Sequence, residues 1–224
     1  MTEASSLALS SSNPDDRLQL FDLTVTEIHD RVIRAGLAAA GDVSPLAPRG
    51  TQGRHMNDAC VAALRSVLLS KSDWQIEQTD GVSRTVHRVR HLAVVPASGN
   101  EHTGLEYGKK DVTTAWPKGP AACSRADFAG PAGFEAIDSV ESNWKTPVEN
   151  SAGEWTLWYL LYFRCDSEVR IELSAPRYFD KSGFPRGWDE RIIIPSCLLN
   201  DLPVDDESDE DDDSDIVDVP VLPK

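Results

Sequence analysis

The chain lacks any apolar run that could cross a bilayer. A spanning helix needs about 20 consecutive apolar residues, and the longest strongly apolar run, Trp155 to Phe163, falls far short and reads as core. Membrane association is therefore not expected. The four cysteines, Cys60, Cys123, Cys165 and Cys197, include no CxxC pair. Zinc sites bring their ligands in close pairs, so no structural metal is expected, and reduced thiols fit a cytoplasmic protein. Residues Met1 to Asp16 have neither a basic n-region nor a sustained apolar stretch, which argues against a secretory signal. Their Ser, Thr, Asn and Asp content predicts a flexible leader.

Catalytic signatures are missing as well. There is no GxSxG elbow, no phosphate loop ending in Gly-Lys-Ser/Thr, no GxGxxG and no HExxH. A metal-dependent nuclease needs an Asp followed one strand later by Glu-x-Lys. Asp166 and Glu172 lie on suitable segments, but Ser174 stands where the lysine is needed. His87 and His91 are four apart and share a face on either a helix or a strand, yet no third ligand accompanies them. Cys123 sits in a Pro/Gly-rich stretch with no activating base nearby. The balance leans away from an enzyme, with no cofactor and no metal.

What is present is an ordinary globular composition with an uneven charge. Of 224 residues, 40% are hydrophobic and 26% charged, enough to bury a core without disulfides. The formal net charge is −15. The segment Asp201 to Lys224 holds eleven acids and one base, so two thirds of that net charge sits in the last 24 residues. Such a run repels itself too strongly to collapse. The organisation predicted is a disordered leader over 1–16, one α+β domain over 17–200 and a disordered acidic tail over 201–224.

Thr24 to Glu27 has the spacing of a capping box, in which a hydroxyl and a carboxylate each satisfy a free amide. Ile28, Val32 and Leu37 continue at a helical period to Gly41, predicting a helix over 25–40. Residues 42–54, rich in Pro and Gly, read as a linker. Asn57 or Asp58 could cap a second helix running to about Ser70. Trp74 to Thr79, Asp80-Gly81 and a Val-rich run ending at Pro96 read as a hairpin, because Asp-Gly supplies the positive φ of a type I′ turn. A competing helix puts Val82, Val86, Val89 and Ala93 on one face. Residues 97–153 show little periodicity beyond a short helix near 133–142. Glu154 to Arg164 is apolar on both faces and predicts a central strand. Val169, Ile171 and Leu173 alternate with polar residues, and Arg191 to Pro195 makes a further strand. The class expected is α+β, with N-terminal helices packed on a mainly antiparallel sheet.

Three segments carry candidate function. Between Arg84 and Arg125 seven bases meet three acids. Arg84, Arg88, Arg90, Lys109, Lys110 and Lys118 could track phosphates while Trp116 stacks on a base, the combination that single-strand binding requires. The connection Ala175 to Glu190 sets Tyr178, Arg186 and Trp188 in one loop, the residue types that dominate binding hot spots. The alternative there is a loop pinned to the sheet by its own aromatics.

The tail runs acidic and then apolar, with Asp211, Asp212 and Asp213 followed by Ile216 and Val217. It can dock on a protein partner, its acids steering approach to a basic surface and its apolar tip adding to a groove or sheet edge. It can equally act as a nucleic-acid mimic covering the chain's own basic centre, or simply solubilise. This tail resembles the acidic, apolar-tipped ends of bacterial single-stranded-DNA-binding proteins, differing in its lack of a terminal aromatic and its final Lys224. The reading ranked first is a non-enzymatic cytoplasmic interaction or accessory protein. A nucleic-acid-binding accessory protein using residues 84–125 comes second. An enzyme with a site around 102–125 and 175–190 comes third.

Overall fold

The computed structural model describes residues 13–79, 82–106, 111–119 and 156–199. Among the described residues four α-helices precede the sheet: α1 (Pro14–Leu18), α2 (Val25–Glu27), α3 (Arg34–Gly41) and α4 (Thr51–Leu69). A π-helical segment, Ile28–Ile33, joins α2 to α3 without a break. The predicted helix over 25–40 is thus present, but one stretch of it is wound at the wider π spacing. Its capping box forms as expected: Thr24 Oγ1 accepts from the Glu27 amide at 3.1 Å, and the Glu27 carboxylate accepts from the Thr24 amide at 3.1 Å.

Two boundaries differ from the sequence expectation. Pro14 to Asp16, assigned above to the leader, form the first turn of α1, where Asn13 caps and Pro14 needs no amide partner. Helix α4 starts at Thr51, inside the expected linker, because Gly50 at φ +81° turns the chain directly into it. Asn57 and Asp58 are interior residues of α4 rather than its cap.

The strands are β1 (Trp74–Thr79), β2 (Val82–His87), β3 (Leu92–Ser98), β4 (Thr156–Arg164), β5 (Glu168–Ala175), β6 (Tyr178–Phe179), β7 (Pro185–Arg186) and β8 (Glu190–Leu198). Six of them form one sheet in the order β1-β2-β3-β4-β5-β8, while β6 and β7 pair separately. The sheet is mainly antiparallel, as the sequence predicts, with one parallel pair, β3–β4. The hairpin is present: Thr79 pairs with Val82 across two residues. The Asp80-Gly81 turn itself lies outside the described residues, as do the expected helix near 133–142, Cys123 and the acidic tail. The competing helix over 82–93 does not form. A second turn at Arg88–His91, with His91 at φ +53°, splits the Val-rich run into β2 and β3.

The sheet has two unlike faces. Leu92, Val94, Trp158, Leu160, Tyr162, Ile171, Leu173, Ile192 and Ile194 project toward the helices and share a core with Phe21, Ile28, Val32, Leu64 and Leu68. Each side chain of this size contributes about 1.5–3 kcal/mol when fully buried. Ala93, Ala97, Leu157, Tyr159 and Leu161 form a smaller core on the other face with Val112, packed by Phe179 and Trp188 from loops. Strand β4 feeds both cores, which is why its sequence is apolar at every position from Leu157 to Tyr162.

Candidate functional site

One concavity follows from an interrupted ladder. Strand β2 pairs with β1 along its whole length but with β3 only at Thr85–Val94, Val86–Ala93 and His87–Leu92. Extending that register would set Val95 against Arg84 and Pro96 against Ser83. Proline has no amide to donate, so a ladder fails readily there. Where the strands separate, a cleft of about 500 Å³ opens, floored on one side by α4 and reaching Lys118 and Tyr159 on the other. Helix α4 presents Asn57, Val61 and Arg65 to it, residues spaced four apart on one helical face.

The cleft is cationic. Among the described residues, Arg65, Arg84 and Lys118 line it with one acid, Asp58. The Lys118 ammonium lies 5.5 Å from the centre of the Tyr159 ring, within cation–π range. Arg84 is buried and pairs with Glu77 at 2.8 Å, a cross-strand pair set by the β1–β2 register. Arg65 differs: its Nε and Nη2 atoms are buried and have no hydrogen-bond partner.

A second set of charged groups surrounds Asp22, which adopts φ +54° after the 3-10 turn Gln19–Phe21. Its carboxylate accepts from Trp74 Nε1 at 2.8 Å and pairs with Arg90 at 2.8 Å. His87 Nε2 stands 3.6 Å away, and His87 Nδ1 accepts the Arg90 amide. Partial burial raises the Asp22 pKa, but the Trp74 and Arg90 hydrogen bonds and the Arg90 and His87 charges outweigh it and hold the group below its ordinary 3.8. Lys71 ties the Asp22 carbonyl to the Glu27 carboxylate, each at 2.6 Å. This cluster fastens the N-terminal helices to the β1–β2 edge.

The face opposite the helices is covered by loops, and one buried carboxylate anchors them. Glu172, fully buried in β5, pairs with the Arg191 guanidinium and accepts from Ser174 Oγ and the Gly104 amide, each at 2.8 Å. Gly104, at φ +73°, lies so close to β5 that a Cβ there would meet Arg170 Cβ at 2.9 Å. In the connection after β5, Trp188 Nε1 donates to the Val112 carbonyl at 2.9 Å. Asp180 accepts from the Ser182 and Phe184 amides and from Arg186 Nε, each at 2.9 Å. Burial raises its pKa, but these donors prevail and hold it below 3.8. Beside Arg186 an open depression of about 720 Å³ is lined by Asn100, His102, Asp111, Thr113 and Phe163.

The sequence candidates are therefore dispersed. Arg84 and Lys118 reach the cleft, whereas Arg88 and Arg90 sit in the β2–β3 turn, with Arg90 committed to Asp22 and the Leu20 carbonyl. Trp116 is 76% exposed. Lys109, Lys110, Asp211, Asp212, Asp213, Ile216 and Val217 lie outside the described residues. In the loop, Tyr178 is half exposed, whereas Arg186 is paired and Trp188 is pinned. His87 is buried at the end of β2 and His91 is exposed in the turn, so the pair shares no strand face. Among the described residues no three His, Cys, Asp or Glu side chains gather as metal ligands, and no helix is long and apolar enough to cross a membrane. Arg65 was not legible in sequence: it falls between the core residues Leu64 and Val67, and only the parting of β2 from β3 makes it a wall of a cleft.

Compared with known proteins, the chain matches no family model, no curated protein and no solved structure.

Proposed function

We propose that this chain is a non-enzymatic cytoplasmic interaction protein whose acidic tail engages a basic surface. The observation that carries this reading is the segregation of charge: eleven acids and one base in residues 201–224, against a net of −5 for the preceding 200 residues. A polyanion of that density steers toward basic partners at long range and loses its grip as salt rises. The cytoplasmic location draws support from Cys60 and Cys165, both free thiols. The test replaces all eleven tail acids by their amides in the full chain. Affinity capture from cell extract with the native chain is expected to retain basic proteins that elute with salt. The amide variant is expected to lose them, and equal retention by both overturns the reading.

A second reading, a nucleic-acid-binding accessory protein, is favoured by the exposure of Trp116 two residues from Lys118. Against it, Arg84 and Arg90 already spend their charge on Glu77 and Asp22. Fluorescence anisotropy with labelled single- and double-stranded oligonucleotides separates the two. Salt-dependent binding that strengthens in the amide variant supports nucleic acid as the ligand and the tail as its mimic. No binding by either chain removes this second reading.

A further inference from the structure

We propose that the cleft between α4, β2 and β3 is an oxyanion-binding site, taking a phosphoryl or carboxylate group against Arg65. This does not rest on the tail-docking reading. Buried polar atoms are almost always hydrogen-bonded, and an exception marks strain, a functional group, or a place taken by water or an ion. Here two donors of one permanent cation, Nε and Nη2, are both buried and unpartnered. These two nitrogens form an edge of the guanidinium fork that can present parallel N–H bonds to two oxygens of one anion.

The surroundings carry the same sign. Lys118 and Arg84 line the cleft with Arg65, and Asp58 is the one acid among the described lining residues. Tyr159, Asn57 and Ser83 add polar groups to the wall, and about 500 Å³ accommodates a phosphoryl group together with part of the molecule bearing it. The site is also held in place. Arg65 is on a 19-residue helix, Arg84 is in the β1–β2 ladder, and the Lys118 amide donates to the Gly183 carbonyl at 2.7 Å.

Two sources could supply such an anion: a free phosphorylated molecule, or a carboxylate of the chain's own tail. Neighbouring strands are about 4.8 Å apart, so β3 is about 14 Å from β8 across the sheet. Residues 205–213 follow Leu199 by 6–14 positions, which at about 3.3 Å per residue is sufficient to span that distance.

The experiment titrates inorganic pyrophosphate into the full chain at constant ionic strength, reading affinity by calorimetry and Tm by thermal unfolding. These variants accompany the native protein: Arg65→Met, which keeps the length and removes the charge, Arg54→Met as a surface-charge control, and the chain with all tail acids amidated. The native protein or the tail-amidated chain is expected to bind and to rise in Tm. Arg65→Met should bind about 10- to 100-fold more weakly, the scale of a charged hydrogen-bonded contact, and Arg54→Met should not change. In anion-free buffer Arg65→Met in the tail-amidated chain should melt no lower than that chain itself, because two unpartnered buried donors are removed. Tighter binding by the tail-amidated chain identifies the tail as the resident anion, and equal binding identifies a free ligand. Arg65→Met is made in both the native and the tail-amidated chain, and equal affinity with and without it in whichever chain binds overturns the proposal, as does failure of both chains to bind.

Discussion

Gly36 and Cys60 touch at the crossing of α3 and α4: a Cβ at Gly36 would stand 2.5 Å from Cys60 Sγ and 3.1 Å from Met56 Cγ. The thiol lies 3.6 Å from the Val32 carbonyl, in the π-helical segment. Gly36→Ala therefore forces the helices apart, at a cost of about 1–3 kcal/mol despite alanine's better helix propensity. Chemical denaturation measures it, and the double variant with Cys60→Ala is expected to recover part of the loss. Burial raises the Cys60 thiol to about 12, so alkylation at neutral pH should be slow until the protein unfolds.

The Glu172–Arg191 pair should be strongly asymmetric to mutation. Arg191→Met leaves a fully buried carboxylate without its counter-charge and is expected to destabilise by about 3–5 kcal/mol. Glu172→Gln should cost less, since the amide oxygen can still accept from the Gly104 amide while the amide NH2, in place of the other carboxylate oxygen, can donate to Ser174 Oγ. Urea unfolding of the two variants checks the ranking, and equal losses would show that the pair's charge is not what holds the loops.

Asp22 gives the fold an acid-sensitive fastening. Its folded pKa lies below the unfolded value, so its contribution is complete above the ordinary carboxylate range and is lost as pH falls through the folded value. Asp22→Asn should cost about 1–3 kcal/mol at neutral pH by weakening the bonds to Trp74 and Arg90. Asparagine tolerates the left-handed conformation at this position, so the backbone is not strained. The stability gap between native protein and variant is expected to shrink from pH 5 toward pH 2. A gap unchanged over that interval would place the effect in packing rather than charge.

Local chemistry decided a good part of this molecule. Thr24 and Glu27 made a helix start legible because a capping box is complete within four residues. Thr79 pairs with Val82 because only the Asp-Gly pair separates the strands. Strand β4 announced its central place through apolar side chains on both faces, and the α+β class followed from the order of helices and strands. The start of α4 at Gly50 was hidden because a glycine cap leaves no side-chain signature. The turn at Arg88–His91 was hidden because His91 takes a positive φ that its residue type does not advertise.

What only tertiary structure decided is which charges remain available. Seven bases between Arg84 and Arg125 look alike in sequence. Strand register gave Arg84 to Glu77, and packing of the N-terminal helices gave Arg90 to Asp22. The separation of β2 from β3 turned an inconspicuous, half-buried helix residue, Arg65, into a wall of a cleft with two buried nitrogens that have no partner. Caps and periodicities act over a few residues and can be read along the chain. Ion pairing acts over a few ångströms between residues far apart in sequence, and so it appears only once the chain has folded.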